Sequence, residues 1–383
     1  MELQGSLIAN KYVILEEIGR GKFGIVHKGE HVKHRTPVAI KMEPNNSSYN
    51  TIKYEATILN YLYKNGCRVI PSVLWYGIYR DYKCLTMNYY DQTIEQYLQS
   101  AKTKYVSATR MRSGGLSHIL SSEANENAGS PIDYLKQVVK LLVNMVAILG
   151  QVHKHQIIHR DIKPENFMIT GGELHLIDFG IASAVSSLEE INTEPSRDTI
   201  IGSPKYISYF IHQGYEPMYR DDLISVGYCF LYFVMGSLPW SNITIMENPS
   251  TDKSCTDKSC TDKSCTDKSC TDKSCPDKSC TDKSCTDKSC QQVYAEIHIL
   301  HEKNQLRKKW KGWANIENII EKLAKKYIAS NTPKNTEIGD GTLLKNIDQI
   351  FTNIFEYFSL CYSLELEEQP FYEELCQVLQ KNL

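Results

Sequence analysis

Residues 159–180 read HRDIKPENFMITGGELHLIDFG, and the fixed offsets between Asp161, Lys163, Asn166 and Asp178 constrain the fold more than any other stretch of the chain. An acidic group that meets a hydroxyl proton and two oxygen donors able to hold Mg2+ must converge on one phosphate. A tight loop followed by a β-hairpin brings such groups together. The stretch meets H-R-D-x-x-x-x-N followed by D-F-G at its specified positions, which is more than a charged surface turn meets by accident.

The first hundred residues supply the other half of such a site. IGRGKFGIV at 18–26 holds Gly19, Gly21 and Gly24 before Val26, and VAIK follows at 38–41. Glycines let backbone N–H groups approach phosphate oxygens with no Cβ in the way. A dinucleotide-binding loop would need a helix to start at the last glycine. Here Ile25–Glu30 continues as a strand, so Val13, Leu15 and Ile18, then Val26, then Val38 to Ile40 predict three antiparallel strands with a hairpin lid. Lys41 ends the third strand. Taken alone it is a solvated edge charge, but beside these motifs it reaches phosphates and needs a carboxylate to hold it. The segment 49–63 offers Glu55 among Ile52, Ala56, Ile58 and Leu59 at helical spacing.

Three later stretches carry a family resemblance. GSPKYISYF at 202–210 occupies the place of the A-P-E ending of most kinases, with Ser208, Tyr209 and Phe210 replacing those residues. YRDDLISVGYCFLYFVMGSLPW at 219–240 and FEYFSLCYSLELEEQPFYEELCQVL at 355–379 follow. With the motifs above, the chain resembles the eukaryotic-type protein kinases and, within them, the casein kinase 1 group.

The resemblance implies an α+β, bilobal fold. Residues 1–90 would form a small antiparallel sheet with one helix, and 91–383 a larger, mainly helical lobe, with ATP between them. It implies Asp161 as the base or orienting carboxylate for a substrate hydroxyl, Asn166 and Asp178 as holders of Mg2+, and Lys163 on the γ-phosphate. A lysine two residues after Asp161, and Ser203 bridging Asp161 and Lys163, imply serine/threonine acceptors on protein substrates. Asp222 would hold the catalytic loop from the central helix. Residues 83–90 would be the strand and hinge beside adenine, with Met87 as gatekeeper and Tyr89 in the hinge. Val26, Ala39 and Ile177 would sandwich the ring under Ile18 and the glycines. A binding scaffold without catalysis is the alternative reading; such proteins typically lack one of Lys41, Glu55, Asp161, Asn166 or Asp178.

The chain also departs from the group. Residues 181–201 carry Glu189, Glu190 and Glu194 against a single basic residue, Arg197, and no lysine follows Trp240 in Ser241-Asn242-Ile243-Thr244. Only Lys205 stands where the group has arginine, so acidic or phosphorylated substrates would meet like charge. Arg160 precedes the catalytic aspartate, where many kinases pair arginine with a phosphorylated loop. One of the three glutamates is expected to replace that phosphate.

Composition agrees with a globular enzyme. The 383 residues are 42% hydrophobic and 23% charged, with a formal net charge of -2, which gives no global drive toward nucleic acid or anionic membranes. The longest apolar run is read at Tyr228 to Met235, inside a helix, and Lys303 to Lys311 as a solvated helix face. No membrane or nucleic-acid partner is expected, nor a signal peptide; the expected setting is intracellular, cytoplasmic or nuclear, and the expected state monomeric. Eight of 13 cysteines lie in residues 251–290, eight TDKSC repeats with one change, Pro276. The repeat fits no helical or strand period, and the insertion 247–290 is expected to be disordered. The other cysteines, Cys67, Cys84, Cys229, Cys361 and Cys376, read as buried thiols of a reducing compartment. Two further insertions, 102–131 and 304–345, interrupt the large lobe. Trp310 and Trp313, with Ile316, Ile319, Ile320 and Leu323, place an added helix in the second, its tryptophans in the core.

Overall fold

The computed structural model describes residues 3–21, 24–47, 50–100, 131–185, 200–243, 288–331 and 341–383. The bilobal α+β architecture expected from the resemblance is the one observed. Strand alternation builds the small lobe. In β4 (Pro37–Pro44), Val38, Ile40 and Met42 pack with Ile8, Tyr12, Ile14 and Cys84 on one face of the sheet. Period-two geometry then sends Ala39, Lys41 and Glu43 to the opposite face. The sheet runs β1-β2-β3-β4-β6-β5 and is antiparallel throughout, from β1 (Leu7–Ile8), β2 (Tyr12–Gly21) and β3 (Gly24–His31) to β6 (Tyr82–Asn88) and the edge strand β5 (Val73–Tyr79). Helix α1 (Thr51–Lys64) lays Ile52, Ala56, Leu59 and Leu62 against that second face, and the same stripe carries Glu55.

The large lobe is built on α3 (Pro131–His153) and α5 (Tyr219–Met235), packed with α8 (Gly341–Ser363) and α9 (Tyr372–Gln380). Val138, Leu142, Met145, Val146, Leu149 and Val152 of α3 are buried within 3% of zero exposure. Here the apolar reading shifts: α3, not α5, contains the stretch long and apolar enough to cross a membrane, Ile132–His153. Its apolar faces are spent on α5, α8 and α9. A short helix, α2 (94–100), and α4 (Tyr209–Gln213) flank this core, and the hairpin of β9 (Phe167–Thr170) and β10 (Glu173–Leu176) carries the loop with Asp161 and Asp178 at its two ends. Strand β7 (Gln92–Thr93) pairs with β9, and β8 (Ile157–Ile158) with β11 (Ser183–Ala184).

The added helix expected in 304–345 is α7 (Trp313–Asn331), entered from the end of α6 (Lys288–Lys311), and its Ile316, Ile320 and Leu323 join the main core because α7 packs along α8. Three other expectations change. Trp313 packs on Phe355 and Tyr362, whereas Trp310 is 43% exposed. The last three residues of the repeat tract, 288–290, form the first turn of α6; 247–287 and all of the insertion 102–131 except Pro131, which starts α3, lie outside the described residues. Lys311 is not solvated. It is fully buried and donates to Pro204 O at 3.0 Å, Ile207 O at 2.5 Å and His212 Nε2 at 3.3 Å, beneath the rings of Tyr228 and Trp240. A helix-face lysine is expected in water because an ion is costly to bury; here burial, then nearby Arg307, pushes the Lys311 amine well below its ordinary value, while the acceptors take its hydrogens.

Burial, then the Lys311 ammonium, pushes His212 down to about 2, so the imidazole stays neutral in the fold. Below pH of about 6.5 the unfolded chain binds a proton that the folded one refuses. Stability is therefore lost as pH falls, by up to roughly 1.4 kcal/mol per pH unit from this one group. Urea unfolding of His212→Gln between pH 5 and 8 is expected to show a shallower acid limb than the unsubstituted chain, and equal slopes would contradict the assignment.

Candidate active site

Three side chains from distant parts of the sequence meet at the back of the cleft between the lobes. Lys41 Nζ donates to Glu55 Oε2 and to Asp178 Oδ1, both at 2.7 Å. Glu55 is 1% exposed and its other oxygen accepts from the Phe179 amide at 3.1 Å, so α1 is tied to both β4 and the segment after β10. Burial opposes a charge on Lys41, but Glu55 and Asp178 outweigh it and raise the ammonium above its ordinary range. Asp178, 42% exposed toward the cleft, is pushed up most by desolvation, but the charge and hydrogen bond of Lys41, with His159 and Lys163 adding to them, bring it below the usual carboxylate range. The cation and the cleft carboxylate therefore both stay charged at neutral pH.

The catalytic-loop end is held from α5. Asp222 accepts from the His159 amide at 2.7 Å and the Arg160 amide at 3.0 Å, and its Oδ2 also meets His153 Nε2 at 3.0 Å. These bonds hold Arg160 at φ 68°, a left-handed conformation that costs about 1–3 kcal/mol in a non-glycine residue; Asp178, at φ 66°, shares it. His159 Nδ1 accepts from the Asp161 amide at 3.3 Å, so Nε2 carries the proton and donates to Ile177 O at 2.9 Å. The same ring meets Phe179 edge-on, joining the two ends of the hairpin.

Asp161 is clasped from three sides. Lys163 Nζ donates to its Oδ2 at 2.6 Å, and Ser203 donates to its Oδ1 through Oγ at 2.6 Å and through the amide at 3.1 Å. Asn166 Nδ2 donates to Asp161 O at 2.8 Å and to its Oδ2 at 3.2 Å, which leaves the Asn166 amide oxygen without a partner among the described residues. Gly202 makes this approach workable: a Cβ there would stand 2.4 Å from Arg160 O, and its φ is +101°. Gly24 acts alike at the lid, where a Cβ would meet Met42 O at 2.1 Å.

The cleft has a volume of about 610 Å3, within the range of small-molecule sites. Ile18, Gly21, Gly24, Val26, Ala39, Met87, Tyr89 and Ile177 line it together with Lys41, Glu55, Asp161, Lys163, Asn166 and Asp178. Gly19 pairs with Val26 in the hairpin and does not line the cleft. The Protein kinase domain family model matches residues 12–335. The chain belongs to the protein kinase family.

In this kinase the reading of the sequence gave no role to several residues that shape the site: His153, His159, Gly202, Lys311 and Glu43. His159 stood in the H-R-D pattern and Gly202 directly before the serine that reaches Asp161; the others could be found only by knowing what α5, α6 and β4 face. Lys205 covers the ring of Tyr232 at 3.9 Å. Arg160 donates to Ile181 O at 2.6 Å and Ala182 O at 3.3 Å. Glu189, Glu190, Glu194 and Arg197 lie outside the described residues. Removing Asp222 orphans two buried amides, each worth roughly 1–3 kcal/mol. Chemical denaturation is expected to rank Asp222→Ala below Asp222→Asn, and both below the native chain; equal midpoints would show that the loop is held otherwise.

Proposed function

We propose that this kinase is catalytically active, uses Mg-ATP and phosphorylates serine and threonine hydroxyls of proteins, as a divergent member of the casein kinase 1 group. The observation that carries the reading is Asp161, aimed into the cleft with Lys163 on one oxygen and Ser203 on the other. The residues fit the nucleotide and its ion. Val26, Ala39, Met87 and Ile177 supply apolar walls for a base, with the 88–90 backbone beside them. Lys41 is charged and reaches the phosphate end. The Asn166 amide oxygen and the Asp178 carboxylate are hard oxygen donors facing the same space, the type that Mg2+ takes. When bound, Mg2+ neutralises charge on the β- and γ-phosphates.

The chemistry then falls to the chain. Asp161 orients the acceptor hydroxyl and takes its proton as the oxygen forms a bond to the γ-phosphorus. The bond to the β,γ-bridging oxygen breaks, and ADP leaves. Lys163, 2.6 Å from Asp161, balances charge on the transferred group, and Ser203 keeps the aspartate from rotating away. All five groups whose loss marks a scaffold, Lys41, Glu55, Asp161, Asn166 and Asp178, are present, which favours catalysis over the binding-only alternative.

The group assignment rests on sequence from Gly202 onward and on what those residues do. Ser208, standing in the A-P-E position, caps α4 by accepting from the Ile211 amide at 3.1 Å and bonds Asp221. Trp240, ending GSLPW, donates to Lys205 O at 2.7 Å and fastens that ending to the segment after Ser203. Lys205 lies against Tyr232, and residues 181–201 carry three glutamates against one arginine, so acidic or primed substrates are not favoured. The free thiols of Cys67, Cys84, Cys229 and Cys361 are all buried and Cys376 half-buried, which supports a reducing, intracellular setting.

Radiolabelled transfer to casein should fall by roughly 100-fold or more in Asp178→Ala, since the variant loses its metal carboxylate. Equal incorporation by both proteins would exclude intrinsic catalysis. A degenerate peptide library should yield phosphoserine and phosphothreonine without phosphotyrosine, and no gain from a pre-phosphorylated residue. Phosphotyrosine product, or strong selection for primed peptides, would overturn the specificity.

A further inference from the structure

We propose that Glu43 is a positioning residue: a second carboxylate clamp, two residues beyond Lys41 on the same strand, that seats α1 so that Glu55 can reach Lys41. The inference rests on the phosphotransfer reading of the cleft. Glu43 is wholly buried. Its Oε2 accepts from Thr51 Oγ1 at 2.8 Å and from the Ile52 amide at 3.1 Å, the first turn of α1. That helix supplies no such partner itself: its N-cap, Asn50, makes no side-chain bond to the helix, and its first turn contains no acidic residue. Asn50 Oδ1 instead accepts from Lys83 Nζ at 2.8 Å, and Lys83 lies 3.7 Å from Glu43 Oε1, an oxygen with no hydrogen bond among the described residues. The helix cap is therefore delivered from β4, with negative charge at the positive end of the helix dipole.

Strand and helix repeats make this a two-point lock. Residues two apart on a strand share a face and lie roughly 6.5–7 Å apart, while residues three or four apart on a helix lie about 5–6 Å apart on theirs. Lys41 and Glu43 thus match Glu55 and the 51–52 turn. Sliding α1 along β4 by one residue breaks both contacts at once. Seating of α1 is then set by contacts within the chain.

Hydrogen–deuterium exchange on the full chain reads the seating without reference to catalysis. In Glu43→Ala, amides in the first two turns of α1 are expected to exchange about tenfold or more faster, with a smaller rise in Thr51→Val and near-native protection in Glu43→Gln, which keeps an acceptor oxygen. Native protection in folded Glu43→Ala would overturn the clamp; should that variant not fold, Thr51→Val with unchanged protection does the same. Glu43→Ala is also expected to lose about tenfold in kcat/KM for ATP, and to cost little more once Glu55→Gln is present, because both act on one contact. Losses that simply add would make Glu43 a stability residue only. If no protein transfers phosphate, the kinase reading fails while exchange still decides the clamp.

Discussion

Lys41 is the point at which the two lobes and the hairpin between them become one site. Its ammonium is shared at 2.7 Å by a carboxylate on α1 and another beyond β10, residues separated by 14 and 137 positions in the chain. A buried ion pair of this sort adds little to stability relative to a well-packed apolar pair, but breaking it by removing one partner costs roughly 3–5 kcal/mol. Its value lies in specificity of position. Burial pushes the Glu55 carboxyl up while Lys41 pulls it back, so the cation keeps both oxygens only if sheet, helix and hairpin hold their distances, and the triad reports whether the cleft is assembled.

The hairpin end of that triad is held just as firmly from below. Asp222 on the most completely buried helix, α5, binds two consecutive amides of the loop, and the left-handed Arg160 is the result. His153 links the same carboxylate to Tyr372 of α9, with Nδ1 2.6 Å from the tyrosine oxygen. Strain in the loop is thus borne by the core of the large lobe, where packing is densest and least able to yield.

The segment after Ser203 is anchored on its other side. Lys311, at the end of α6, gives its protons to carbonyls of Pro204 and Ile207, Ser225 on α5 donates to Tyr206 O at 2.8 Å, and Trp240 takes Lys205 O. These contacts satisfy backbone acceptors of a stretch that is neither helix nor strand, which would otherwise be costly to bury. Ser203 reaches Asp161 because the chain around it has so few ways to move. The substitution of Ser208 for the alanine of A-P-E finds its reason in the same place, as a cap for α4.

The amino-acid sequence by itself determined the small-lobe strands, the helix that carries Glu55 and the polar groups that line the cleft. Alternation in 38–42, the glycines at 19, 21 and 24, helical spacing around Glu55, and the offsets among Asp161, Lys163, Asn166 and Asp178 are local, and local patterns are written in the residues themselves. Tertiary structure alone decided which long-range partners those groups have. Lys311 looked like one more solvated lysine in KNQLRKKWK until α6 was seen to pack on Pro204 and Ile207. Glu43 carried no signal in the sequence, and its contact with the first turn of α1 comes only from the way β4 meets that helix. Burial and hydrogen bonding depend on what faces a side chain from elsewhere in the fold, and no period in the surrounding sequence encodes that.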